Sequence, residues 1–385
     1  MEKLKKYLLF LFLLENVAAQ TRLMGGISTY FFYAFLVLGA MFMLQRDLWK
    51  GETMGTYWPL YVMGGIYVLY EFTFGQSTIS TQTLVYLIAK LTTFAIIVMG
   101  VDSNFKFYER KMLYGLSVFI CFFVVYGMAT GGLEHSHSTT RMLVGFGNAN
   151  STSGMGAFVL GAMLFITEKW NLRSLLITGI GLYAVLAGGS RAGIMVVAIL
   201  VFIKYGFSPK MALVFAAVVF AAVYILPTIG LNTVGVERFL HTVDGTEGSN
   251  RDNEREACWV MIREKPWNGW GFEAQNQGRA LEMSELGSHN GYLETLKFMG
   301  YPCGGAWLGI LILSILVIFK RYHKLGIARD MFVGIVLAFA VNAYFEGLFV
   351  GVHEFATNMF FVCLAVAYKK AALYEKGYLV RENNK

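Results

Sequence analysis

The strongest constraint on this chain is that its apolar residues come in unbroken blocks near the length of a bilayer crossing, not as one-sided stripes. A stripe lets a helix show a polar face to water, whereas a block leaves no such face. We read about a dozen blocks, over 4–20, 27–45, 57–75, 82–101, 112–130, 152–167, 173–189, 192–206, 211–227, 303–320, 331–350 and 354–369. Each has to be helical, because backbone N–H and C=O groups in hydrocarbon find no water to bond. Composition agrees: 15% of residues are charged, against roughly a quarter in soluble domains. The mean hydropathy is +0.53. The expected fold class is therefore all-α, a polytopic integral membrane protein of about 12 transmembrane helices, with 1–385 as a single domain.

The first block has a competing reading. Met1 to Lys6 is basic, Tyr7 to Leu14 is apolar and Val17-Ala18-Ala19 is small, which also fits a secretory signal. A first spanning helix fits better, since the next apolar run follows within a few residues.

Sidedness follows from Lys and Arg in the short loops. With the N-terminus cytoplasmic, the inner segments hold 21 of the 32 basic residues, from Lys3, Lys5 and Lys6 to Lys369, Lys370 and Lys376. The short outer loops hold little beyond Arg22, Arg141 and Arg191. Both termini are thus expected in the cytoplasm. The net charge of +7 belongs to this asymmetry and to membrane lipid, so no nucleic-acid partner is expected.

Residues 228–302 stand apart as one large outer loop, too polar to span and expected to contain short helices. Long translocated loops are exempt from the charge rule, and long loops on rigid scaffolds carry function. Ser249-Asn250-Arg251-Asp252 reads as a helix start, and Pro266 with the glycines of Trp267-Asn268-Gly269-Trp270-Gly271 as its end. Arg251, Arg255, Trp259 and Arg263 then form one stripe, as an interfacial amphipathic helix also would. Ala187-Gly188-Gly189-Ser190-Arg191-Ala192-Gly193 sets a cation at the outer junction of two apolar helices, where snorkelling is the plain alternative to ligand binding. Its glycines imply close approach of a ligand or of another backbone. His289, in Ser288-His289-Asn290-Gly291-Tyr292-Leu293, opens a short helix before the next span. Its side chain suits proton acceptance from a hydroxyl, although an isolated histidine more often serves structure.

Taken in order, Phe146-Gly147-Asn148-Ala149-Asn150, Gly189-Ser190-Arg191-Ala192-Gly193, Arg255 four before Trp259, Lys265 to Gly271, and His289-Asn290-Gly291-Tyr292-Leu293 resemble the O-antigen ligase and Wzy-type polymerase family of bacterial envelope glycosyltransferases. That resemblance implies a transferase of the bacterial inner membrane, working on its outer face. Its donor would be a polyprenyl-diphosphate-linked oligosaccharide, and its acceptor a hydroxyl of a glycan, a lipid core or a protein. It further implies that Arg191 and Arg255 bind the diphosphate, that His289 activates the acceptor, and that Asn148, Asn150 and Asn290 belong to the substrate site. Arg251 stands near enough to Arg255 to share its part. Ligase and polymerase are implied equally.

No metal or other cofactor is expected. Asp244, Glu247, Asp252 and Glu254 lack the calcium-loop spacing, and Glu134-His135-Ser136-His137 lacks further ligands. Cys121 and Cys363 read as packing residues, while a disulfide between Cys258 and Cys303 is chemically possible on the outer side. Glu71, Lys90, Glu346, His353 and Glu354 fall in or beside spans, where an ionisable group is a functional hypothesis by default. Glu346, His353 and Glu354 are placed to border the same outer cavity. Lys90 either lines a headgroup path or pairs with an acid. These residues also motivate the rival class, a transporter or flippase of lipid-linked sugars.

Overall fold

A computed structural model of the protein describes residues 2–74, 81–130, 142–206, 209, 251–272 and 289–379. The expected span over 211–227 lies outside the described residues, as do Arg141, His135, His137, Asp244, Glu247, Ser288 and most of the 228–302 loop.

Among the described residues the regular structure is helical, with one isolated antiparallel bridge between Thr21 and Phe146. The helices are α1 (Glu2–Ala19), α2 (Gly25–Met43), α3 (Gly51–Thr56), α4 (Trp58–Thr73), α5 (Thr81–Ser103), α6 (Phe105–Arg110), α7 (Met112–Ala129), α8 (Ala149–Ile166), α9 (Leu172–Gly188) and α10 (Arg191–Tyr205). They continue with α11 (Arg251–Glu264), α12 (Gly291–Met299), α13 (Gly305–Leu325), α14 (Met331–Asn342) and α15 (Phe355–Glu375). A π turn over Gly300–Gly304 links α12 to α13, with Gly300 at φ +66° between them.

Six described segments are long and apolar enough to cross a bilayer: Gly26–Met43, Thr83–Ser103, Met112–Ala129, Ala149–Ile166, Gly291–Leu325 and Phe355–Glu375. Helices α9 and α14 are apolar but shorter, and α1, α4 and α10 fall on other expected spans. Local sequence sets several boundaries. Asn148 caps α8 by accepting from the Ser151 N–H at 2.7 Å, and Asn171 with Ser174 forms a reciprocal box at the start of α9. Asp330 caps α14, while Gly189 and Gly326 end α9 and α13 in the left-handed region.

Helix α15 is the central post. From Phe355 to Ala371 it is buried nearly all round, as expected of a helix with no polar face. Small residues let its neighbours approach one another closely: a Cβ on Gly100 would press on Leu9, and one on Gly156 on the Gly181 carbonyl. At the periphery the pattern inverts. Ile27, Tyr30, Phe31 and Val37 of α2, and Leu172, Leu175 and Leu176 of α9, are exposed apolar side chains of the kind that face lipid.

One expected span differs. The run 331–350 is helical only to Asn342, and residues 343–354 fold as an irregular segment between α14 and α15. Irregular backbone persists at such a place only where protein satisfies it. Here Lys90 Nζ donates to the carbonyls of Phe349 and Gly351, both at 2.8 Å, and Tyr86 Oη to that of Val350 at 2.7 Å.

Candidate active site

The segment 343–354 forms one wall of a cavity of about 210 Å³ with both polar and apolar lining. The other walls come from the end of α1 (Gln20), the start of α8 (Asn148, Asn150, Ser151), the start of α10 (Ser190, Ala192, Gly193) and His289. Glu346, Glu354 and the first residues of α15 complete it. Four helices, α8, α10, α12 and α15, therefore begin at this cavity. Each N-terminus carries partial positive charge on N–H groups that lack intrahelical acceptors. Helices α10 and α15 start without a side-chain cap, which leaves those donors to be met by other groups. Such a convergence favours an anion.

The motif glycines have structural explanations. A Cβ on Gly193 would strike the Ser153 hydroxyl, and one on Gly188 would lie 2.6 Å from the Ala149 carbonyl. The close approach expected around Arg191 is thus to the backbone of α8. It brings the start of α10 beside Asn148 and Asn150. Arg191 itself is half-buried as the first residue of α10, between the lining residues Ser190 and Ala192.

His289 takes a left-handed backbone conformation, φ +44°, immediately before α12. Asn290 then caps that helix, its carbonyl oxygen accepting from the N–H groups of Tyr292 and Leu293, both at 3.1 Å. Gly291 donates to the carbonyls of Ala343 (2.8 Å) and Glu346 (3.0 Å). Any larger residue there would run into the Leu348 backbone. The motif around His289 is therefore a docking device for the 343–354 segment, and it sets His289 Nδ1 3.5 Å from Glu346 Oε2. Neither Asn148 nor Asn290 offers a free amide oxygen, since both are engaged in capping.

Helix α11 ends at Glu264, just before Pro266, as expected. It buries Glu254, Ala257, Cys258, Met261 and Ile262, with Cys258 and Ile262 packing on Leu293 of α12. Trp259 and Arg263 are exposed, as the stripe predicts. Arg255 breaks from them and turns inward. Its guanidinium donates to the Tyr344 carbonyl at 3.2 Å, lies 4.5 Å from the Tyr344 ring and is 3.6 Å from Asp252. Among the described residues its Nε has no hydrogen-bond partner. The side chain of Arg251 lies outside the described residues.

The Lys265 to Gly271 motif clasps α11 to α12. Trp270 and Gly271 donate to the carbonyls of Lys297 and Phe298, and Tyr301 to that of Pro266 at 2.7 Å. Gly300, at φ +66°, leaves no space for a Cβ above the Trp267 carbonyl. The clasp keeps the helix bearing Arg255 beside the helix that follows His289. All four cysteines are free, so Cys258 and Cys303 form no disulfide in this structure.

Glu354 is a half-buried carboxyl of the cavity wall. Burial pushes it up to about 7, against the pull of the Thr357 hydroxyl and of Lys90; Glu294 and Glu346 push the same way. Its Oε2 accepts from Thr357 at 2.6 Å. Beside it, His353 Nε2 lies 2.6 Å from Glu15 Oε1 on α1, and its ring stacks on Phe32. Sequence reading flagged Glu346, His353 and Glu354 as cavity-bordering groups, and Glu346 and Glu354 do line the cavity. It gave no sign of Gln20, which no motif marks. Nor did it reveal that Glu346 would meet His289.

A helical membrane protein with a cavity at which four helices begin and two carboxyl groups stand is the class these features define. Residues 174–304 match the family model described as O-antigen ligase. The matched third of the chain runs from α9 through Arg191, Arg255, the clasp and His289 to the π turn. Over that stretch the chain is similar to the O-antigen ligase family of polysaccharide biosynthesis. No curated protein matches the chain significantly.

Proposed function

We propose that this protein transfers the glycan of a polyprenyl-diphosphate-linked oligosaccharide to an acceptor hydroxyl, as a surface polysaccharide ligase or polymerase. The observation that carries the reading is the cavity itself, where four helix N-termini, His289 and Glu346 meet beside the start of α10 that bears Arg191. At about 210 Å³ the cavity is smaller than a typical drug-sized pocket of roughly 300–1,000 Å³. It suits a diphosphate head, with the polyprenyl chain in lipid and the glycan outside.

In the reaction the acceptor oxygen bonds to the reducing-end carbon as the bond from that carbon to the phosphate oxygen breaks. The leaving diphosphate gains negative charge. Arg191 and Arg255 stabilise it by charge-assisted forks, together with the N–H groups at the helix starts. His289 takes the acceptor proton, and the Glu346 carboxylate 3.5 Å away steadies the imidazolium. Asn148, Asn150 and Asn290 shape the site, the first and last chiefly as caps. The reading needs no metal. It places the cavity on the outer face of the bacterial inner membrane and both termini in the cytoplasm. That side follows from the basic residues gathered at the opposite end of the bundle, where Lys5, Lys50, Lys369, Lys370 and Lys376 make ion pairs. A transporter would instead set its charges along a path through the bilayer, whereas Lys90 is sealed against main-chain carbonyls.

The test is transfer in membranes that carry the full-length protein, with release of lipid diphosphate and formation of glycosylated acceptor measured together. Arg191→Ala and Arg255→Ala should each lower turnover by roughly 100-fold or more at normal expression. Full activity in both variants would overturn the assignment. Loss of activity with a chelator would overturn the metal-free chemistry, and lipid crossing without new glycosidic bonds would favour transport.

A further inference from the structure

Lys90 sits on α5 within a candidate span and is only 2% exposed. A cation in that setting is costly, and an apolar residue of similar length would pack there without the penalty. Of the two expectations from sequence, pairing with an acid is met only through space, by Glu354. Lys90 has no access to a headgroup path, and its hydrogen bonds run to carbonyls. With Tyr86 it takes the oxygens of three successive residues, Phe349, Val350 and Gly351. Its ammonium also lies within 6 Å of the Tyr67 and Tyr86 ring centres.

Those carbonyls belong to the turn that positions both cavity carboxylates. Phe349 holds a left-handed conformation, φ +81°, unusual for an aromatic residue. Its N–H donates to the Thr357 hydroxyl at 3.1 Å, and that hydroxyl donates to Glu354. A Cβ on Gly351 would lie 2.6 Å from Glu354 Oε2, so the turn and the carboxyl share one tight space. On the other flank, Gly291 fixes the carbonyls of Ala343 and Glu346. The segment is thus held at one side by the His289 motif and at the other by α5.

We infer that Lys90, assisted by Tyr86, is a positioning residue for the active-site cavity: it clamps the 349–351 turn and thereby sets where Glu346 and Glu354 stand. This rests on reading the cavity as the site of transfer. The charged and titratable groups acting on Glu354 are Lys90 from α5, Glu294 from α12 and Glu346 from its own segment, with the Thr357 hydroxyl from α15; His289 lines the same cavity.

The experiment uses the full-length protein in lipid nanodiscs. Lys90→Met keeps the length of the side chain and removes the charge and donors; Tyr86→Phe removes one donor and no charge. Hydrogen exchange of the 343–354 backbone is measured beside turnover. In Lys90→Met that segment should exchange faster while the helices of the bundle do not, and kcat should fall roughly tenfold to 100-fold, as a misplacement of about 1 Å in an active site costs. The pH dependence of kcat should move to higher pH, because the cation's pull on the Glu354 carboxylate is gone. Tyr86→Phe should show a smaller fall and no shift. Wild-type exchange and turnover in Lys90→Met would overturn the inference. So would a loss of stability spread over the whole bundle with an unmoved pH profile. If Lys90→Met does not fold, unchanged exchange and kcat in Tyr86→Phe overturn it. A wild-type protein that transfers nothing, while 343–354 still loosens in the variant, would sink the proposed reaction and leave the clamp standing.

Discussion

The two ends of the bundle handle cations in opposite ways. At the basic end, cations meet carboxylates: Lys370 lies 2.8 Å from both Glu109 and Asp330, Lys369 pairs with Asp102, and Arg321 holds Glu375 by two bonds. At the cavity end, Lys90 and Arg255 spend their hydrogen bonds on main-chain carbonyls, and the nearest acid to Arg255 is the largely exposed Asp252 at 3.6 Å. A carboxylate cancels a cation, whereas a carbonyl orients it and leaves its net charge in place. Pairing at the first end engages part of its surplus of cations, while at the second the Arg255 fork is held by an oriented carbonyl.

The largest expected effect sharpens that contrast. Arg255→Lys retains charge and loses the planar fork that reaches the Tyr344 carbonyl. If oriented donors matter, as for a leaving diphosphate, turnover should still fall by roughly 100-fold, about 2.7 kcal/mol of barrier. The same substitution at Arg321 should leave transfer unchanged. Wild-type turnover in Arg255→Lys would mean that charge alone suffices and that the carbonyl contact is incidental.

Glu354 gives the next effect, on stability. Burial raises its carboxyl from the ordinary 4.5 to about 7, so the folded protein favours the protonated form. That contribution is complete below the ordinary carboxylate range and is lost as pH rises through about 7. Thermal unfolding in detergent should therefore show a midpoint that falls between mildly acidic and mildly alkaline pH. Glu354→Gln, neutral throughout, should flatten that part of the curve, chiefly at the alkaline end. Equal slopes in both proteins would show that the carboxyl is solvated and the cavity wetter than its lining implies.

Much of the scaffold was legible because apolar runs of bilayer length admit one secondary structure. The end of α11 was signalled by Pro266, and the caps at Asn148 and Gly189 act as locally on α8 and α9. The break at Asn342 was not legible. Phe345, Leu348, Phe349 and Val350 continue the hydropathy of the span, and the turn is imposed by Lys90 and Tyr86 from a helix far away in sequence. The same holds for the site. The residue types at Arg191, Arg255 and His289 could be read from motifs. The pairing of His289 with Glu346 is tertiary, and so is the inward turn of Arg255 out of an otherwise exposed stripe. The motif glycines carried a true signal of close approach, and the structure resolves it as backbone against backbone.

The smallest expected effect tests whether the two ends are independent. Arg321 and Glu375 form a two-bond pair at 2.9 and 2.6 Å, with Glu375 47% exposed, and Arg321 also lies over the Tyr368 ring. Exposed pairs of this kind are worth about 0–1 kcal/mol, because water and salt already serve each partner well. Arg321→Ala should therefore lower stability within that range, the loss shrinking further at high salt, while transfer stays at the wild-type rate. Tyr368 belongs to α15, whose other end begins at the cavity, so a mechanical link between the ends does exist. If a packed helix transmitted the loss of the ring contact along its length, turnover would fall with stability. An unchanged rate would show that α15 behaves as a rigid post, and that the cavity's geometry is set locally by the 343–354 turn.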